Sequence, residues 1–206
     1  SQHSLEDHLN SVWPNVQHIL NAPLDESIPG FTLGKLKQPD RLMELEFTFN
    51  MAGVTAPRLA EIFRAHGGPA LDPNFPSRLG RLQFQARDGF MRGFVDLLFR
   101  HEDRYYILDW KSNRLGPNDN AYTPQRLQGV MTTEFYTLQY HVYILALHLY
   151  LGQRLPNYDF DRHIGGAFYI FTRGIESETR GTVFDQPQRA LVETLAAEFK
   201  LGPQST

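Results

Sequence analysis

The sequence predicts an α/β or α+β domain, a mixed β-sheet flanked by helices, on three observations. Stretches that alternate with period two, at residues 42–50 and 90–111, lie between stretches of helical spacing. At 206 residues, 41% of them hydrophobic and 13% aromatic, the chain can bury a sizeable core without disulfide or metal staples. No repeat, low-complexity tract or long linker divides it, so a single domain over residues 1–206 is expected.

In chain order, Leu5, Leu9, Val12, Val16, Ile19 and Leu20 fall near helical spacing, and Pro23 closes that helix. The polar stretch holding Pro29, Gly30, Gly34 and Pro39 reads as a surface loop. In the strand at 42–50, Met43, Leu45, Phe47 and Phe49 should face one way and Glu44, Glu46 and Thr48 the other. A short helix is predicted near 56–66, then a loop rich in glycine and proline from Gly67 to Pro76. Residues 90–100 and 104–111 read as a hairpin turning at Glu102-Asp103. A helical region from Pro124 to Leu151 carries one stripe, Met131, Phe135, Leu138, Val142, Leu145 and Leu149. Residues 164–172 read as a buried strand, and 188–200 as a closing helix that stops at Gly202-Pro203.

Composition excludes several classes of function. Without cysteine there is no disulfide framework, zinc knuckle or thiolate nucleophile, which suits a reducing cytoplasm. No window approaches the roughly 18 apolar residues of a membrane span, and the N-terminus lacks a secretion signal, so a soluble chain is expected. A start without Met reads as a piece cut from a longer polypeptide. The net charge of -3 argues against holding nucleic acid by bulk electrostatics. The centre is nonetheless locally basic, with Arg78, Arg81, Arg87, Arg92, Arg100, Arg104, Lys111, Arg114 and Arg126 against six acids.

With the turn at Glu102-Asp103, residues whose numbers sum to 205 oppose each other, and Asp96 stands across from Asp109. Like charges so opposed destabilise a sheet unless something positive lies between them. Period two adds Phe94, Leu98, Ile107 and Lys111 to that face, while Val95, Leu97, Phe99, Tyr106, Leu108 and Trp110 form the core face. Two carboxylates and a lysine suit a hard cation such as magnesium together with a phosphate, the lysine answering the developing negative charge. Taken alone, these three residues suit a surface ion cluster better, in which the lysine compensates two acids.

The run from Gly93 to Asn113, with Asp96 and Asp109-Trp110-Lys111 at its centre, resembles the nuclease core of the RecB family. Gln139 and Tyr143 match that family's Gln-x-x-x-Tyr helix motif, and the likeness extends through Glu44-Leu45-Glu46-Phe47, Ala121-Tyr122-Thr123, Leu145-Ala146-Leu147-His148 and Gly165-Gly166. The resemblance implies a restriction-endonuclease-like fold of the PD-(D/E)xK type and magnesium-dependent hydrolysis of DNA, as an exonuclease. Carried over by position, Asp96 and Asp109 are metal ligands, the Trp110 carbonyl a possible further ligand, and Lys111 the catalytic lysine. Either Glu44 or Glu46 matches the family's earlier acid, Glu44 being slightly preferred, and Gln139 and Tyr143 border the site. Implied partners are DNA, the RecC and RecD subunits and the RecA recombinase. Rival readings are another exonuclease of the superfamily or a nucleolytically silent domain that recruits RecA.

The family also carries a metal-binding histidine on a helix upstream of the Glu-containing strand. His3, His8 and His18 lie in no matching context, so that histidine is expected before Ser1, and the 206-residue piece is expected to fold but to cut DNA poorly. Arg114 is placed to meet phosphate or solvent. Tyr122 and Tyr136 read first as residues packed under a loop, with stacking on bases or sugars as the alternative, and His141 and His148 as surface or interface residues.

Overall fold

The structure, a computed structural model, describes residues 13, 14, 16–50, 53–82, 90–175 and 181–199. Residues 16–21 are helical (α1), and the rest of the predicted first helix falls for the most part outside the described residues. There follow β1 (Arg41–Asn50), α2 (Ala56–His66), α3 (Phe75–Leu79), β2 (Phe90–His101), β3 (Arg104–Lys111), α4 (Pro124–Thr133), α5 (Tyr136–Arg154), α6 (Phe160–His163), β4 (Ile164–Phe171), β5 (Thr182–Asp185) and α7 (Arg189–Glu198). The strands form one sheet in the order β1-β2-β3-β4-β5. All neighbours are antiparallel except β3 and β4, which run parallel across the α4–α6 crossover. No described helix is long and apolar enough to cross a membrane.

Local chemistry sets the element ends. Thr55 caps α2 by accepting the Arg58 N–H at 3.3 Å, with Pro57 in the first turn. Asp159 caps α6 through the Arg162 N–H at 2.9 Å. The β2–β3 turn places Glu102 at φ 54, and the pairs from Leu97↔Leu108 to His101↔Arg104 keep the expected register. At the start of β4, Gly166 takes φ 136, and a β-carbon there would lie 2.7 Å from the Asp185 carbonyl, so only glycine lets β5 approach. The four-residue β5 has too little periodicity to be read in advance. The helix predicted to stop at Gly202-Pro203 ends at Glu198, and those two residues lie outside the described part.

Both faces of the sheet are buried, which corrects the single core face expected. One face packs Phe47, Phe49, Val95, Leu98, Ile107 and Tyr169 against α2, α5 and α7. The other packs Leu97, Phe99, Tyr106, Leu108, Phe168 and Ile170 beneath Leu24, Ile28, Phe31 and Leu33. The segment that read as a surface loop is therefore a cover over the second face. Its apolar residues are too irregularly spaced to signal burial. Met43, expected on the same face as Phe47 and Phe49, is 56% exposed while those two are buried.

The stripe predicted on one long helix runs over two, because Phe135 adopts a left-handed conformation (φ 56) between α4 and α5. No glycine or proline marks the corner. On α5 every residue from Tyr140 to Leu147 is buried, since the helix is wedged between the sheet, α2, α4 and α7.

His141, expected at the surface, is 2% exposed, its Nδ1 2.7 Å from the Thr137 carbonyl and its ring edge-on to Phe63. Burial pushes its pKa down from 6.5 to about 4. Between those values the unfolded chain takes up a proton that the folded chain refuses, so stability is lost as pH falls through the window. The loss expected from this group is on the order of 3 kcal/mol. Urea unfolding at pH 7, 5.5 and 4.5 should show His141→Gln falling less steeply than the parent, and equal slopes would contradict this origin.

Candidate active site

The β2–β3 ladder runs from the turn to Leu97↔Leu108 and stops one step short of Asp96 and Asp109. Beyond that step β2 continues with β1, and β3 with β4, so the sheet opens between its second and third strands. The Trp110 N–H points into the opening and donates to Asp96 Oδ2 at 2.9 Å. A carboxylate thus takes the place of the missing main-chain acceptor.

The strands are irregular at the same level. Val95 joins the helical-side core and Leu97 the opposite one, although strand residues two apart should share a face. Leu45 opposes Val95 and Met43 opposes Leu97, so Glu44 stands across from Asp96, and Glu44 has φ 54. A left-handed glutamate inside a strand costs roughly 1–2 kcal/mol. Because both strands break together, the register is kept while the side chains change sides.

Asp109, 4% exposed, sits on β3 beside Lys111, whose Nζ forms an ion pair with its Oδ1. Burial first of all raises the Asp109 pKa; the Lys111 hydrogen bond opposes the shift, and the negative charge of Asp96 adds to it. From α5, Gln139 Oε1 accepts from Lys111 at 2.9 Å and from the Tyr169 hydroxyl at 2.9 Å, while its Nε2 donates to the Tyr143 oxygen at 2.8 Å. Tyr143 is pushed upward by burial and then by the charge of Asp109. Tyr136 and Tyr169 stand under the Lys111 ammonium, ring centres 4.1 and 4.9 Å away. The sequence offers Tyr136 only as a packing or base-stacking residue and does not single out Tyr169, so neither is foreseen as a partner of Lys111. Their one signal was position: Tyr136 one turn before Gln139, and Tyr169 on the strand that follows the helix.

Other expected residues lie further out. Glu46 pairs with Arg92 in solvent, which lowers its pKa, and Glu44 is exposed across from Asp96. Among the described residues no third histidine or acid joins the two aspartates in a cluster fit for a metal. His18 is exposed, and His3 and His8 lie outside the described part. Arg114 is exposed in the loop after β3. Tyr122 is buried under that loop, its hydroxyl donating to the Asn113 carbonyl at 3.3 Å. His148 is half-buried against Tyr158.

Two acids and one lysine leave one net negative charge at the mouth of the opening. Asp96 Oδ1 and Asp109 Oδ2 carry no hydrogen bond among the described residues, and no buried side-chain oxygen there lacks a partner, so both face the accessible side. Hard oxygen donors with one uncompensated charge fit a divalent cation.

An opened mixed sheet with Asp96 and an Asp-x-Lys pair at the opening defines a nuclease of the PD-(D/E)XK type, and the chain belongs to that superfamily, whose sequence pattern matches residues 7–201. Within it the chain is similar to RecB subunits of RecBCD enzymes. The RecB of Escherichia coli K12 is 37% identical over 184 residues, 88% of this chain and 15% of that protein. That of Haemophilus influenzae is 36% identical over 186 residues, 89% and 15%. That of Mycolicibacterium smegmatis is 37% identical over 172 residues, 75% and 16%. The chain thus spans about 15% of the length of these relatives.

Because the folded state raises the Asp109 pKa above the ordinary 3.8, ionising this group opposes folding: stability is lost as pH rises from about 3.8 through the folded value. Asp109→Asn, which keeps the shape and an acceptor for Lys111, should therefore raise the melting temperature at pH 7. A thermal scan with chelator present should show this rise, and a lower melting temperature than the parent's would contradict the electrostatic account.

Proposed function

We propose that this chain is the nuclease domain of a longer RecB-type helicase-nuclease and hydrolyses DNA phosphodiester bonds, as an exonuclease, with magnesium. The observation that carries the reading is the buried Asp109–Lys111 pair at the opening of the sheet, held from α5 by Gln139. A lysine whose role was to offset surface acids would need neither burial nor a dedicated amide acceptor. The same geometry favours catalysis over a nucleolytically silent RecA-docking domain, for which no residue here supplies an argument. The RecBCD names of the relatives support DNA as substrate and RecC and RecD subunits as partners.

In this reading Asp96, Asp109 and the Trp110 carbonyl would hold the cation, which when bound would supply Lewis-acid polarisation of the phosphate and a lowered pKa for the attacking water. Asp96 orients β3 through the Trp110 N–H, keeping Asp109 and Lys111 in register with it. Lys111 places a point charge beside the phosphate oxygens, where negative charge builds in the transition state. Gln139 fixes the lysine by accepting one of its protons, and Tyr143 and Tyr169 fix the amide. Glu44, opposite Asp96, is the better placed of the two β1 acids, since Glu46 is engaged by Arg92.

In the full-length protein with its partner subunits, Asp109→Ala should abolish cleavage of linear DNA and leave ATP-driven unwinding nearly intact. Lys111→Gln should lower kcat by about 100-fold or more, the scale for removing an electrostatic donor from a transition state. A gel-based digestion assay with magnesium, run beside an unwinding assay, checks both. Near-normal cleavage by either variant would sink the assignment.

A further inference from the structure

The Lys111 ammonium is almost enclosed, its side chain 11% exposed. Two of its protons face Asp109 Oδ1 and Gln139 Oε1. Two aromatic rings also approach the cation, Tyr136 with its centre 4.1 Å from Nζ and Tyr169 with its centre 4.9 Å away. Tyr136 stands at the first position of α5, directly after the left-handed Phe135, and its own ring leans on Tyr169 at 5.7 Å and Phe171 at 6.3 Å. Its hydroxyl is turned away from the lysine and donates to Asn113 Oδ1 at 3.1 Å. Ring and hydroxyl therefore have separate tasks: the hydroxyl ties down the loop after β3, and the ring meets the cation.

We propose that Tyr136 is a positioning residue for the reaction, its ring face holding the Lys111 ammonium in place by a cation–π contact. A lysine ammonium is a strongly hydrated point charge on a flexible stem, and burial removes its water. An aromatic face supplies negative potential without adding a further acceptor that would compete with phosphate for the protons. Packing alone would not place a charge over the ring, and an aliphatic residue would fill the same volume. The inference rests on the nuclease reading of the site.

The test is a set of variants of the full-length protein, assayed for magnesium-dependent digestion of linear DNA, with kcat and KM measured separately and thermal unfolding recorded alongside. Tyr136→Leu should lower kcat by about ten-fold with KM little changed, the effect of removing one desolvated cation–π interaction from the transition state. Tyr136→Phe should restore most of that activity, since it gives up only the bond to Asn113. As Tyr136→Leu could also disturb folding, phenylalanines bearing one, two and three ring fluorines at position 136 serve as the second series. Each fluorine withdraws density from the ring face and leaves its shape nearly unchanged, so kcat should fall step by step at constant melting temperature. A kcat indifferent to fluorination, or Tyr136→Phe as impaired as Tyr136→Leu, would overturn the inference. Lys111→Gln separates the two levels: if it remains active, the nuclease reading fails and takes the inference with it. If it is inactive while fluorination has no effect, the inference alone fails.

Discussion

Where β2 parts from β3, the Trp110 N–H would have no strand to bond with, and the Asp96 carboxylate takes it. An orphaned main-chain donor in a sheet interior costs about as much as a missing hydrogen bond, so a partner is needed. Here the partner carries a charge. With one oxygen committed to the backbone, Asp96 is held at the edge of the opening, next to Asp109 on the adjacent strand. The β1–β2 arm can then leave the sheet without orphaning that donor, and the other site residues arrange themselves around that departure.

Burial on both faces gives the opening its electrostatic character. With hydrophobic cores above and below, Asp109 lies in poorly solvated surroundings, and Lys111, itself held by Gln139, opposes the resulting rise of its pKa. The local cost is visible in Glu44, a left-handed residue in mid-strand, and in an acid whose pKa is driven upward. Strain and desolvation gathered at one place are common where geometry serves chemistry rather than stability.

The sequence disclosed those parts that depend on regular repetition. A period of two and one polar turn were enough to align Leu97 with Leu108 and to bring Asp96 to the level of Asp109. What escaped it depends on irregularity. The break at Glu44 and Asp96 occurs at residues with no special backbone preference, so strict alternation placed Val95 on the wrong side and Met43 in line with Phe47 and Phe49. The corner at Phe135 lies between two helices that pack on the same core, and the apolar spacing passes across it undisturbed. The cover over the second face uses Leu24, Ile28, Phe31 and Leu33 without any helical or strand period. Tyr136 and Tyr169 were legible only as aromatic residues, because their relation to Lys111 exists only once β3, β4 and α5 have met.

The Phe135 corner also sets the rotational phase of α5. Each residue along a helix advances the azimuth by about 100°, so the direction in which Gln139 points is counted from where the helix begins. A residue inserted between Phe135 and Gln139 would swing the amide roughly a quarter turn from Lys111, with Tyr143 following it, while most of the helix found other apolar neighbours. Between Lys111 and Pro124 the chain is free of that counting. Length variation among related sequences should therefore be tolerated in that loop and strongly resisted in the nine residues from Phe135 to Tyr143, where position along the chain is position around a circle.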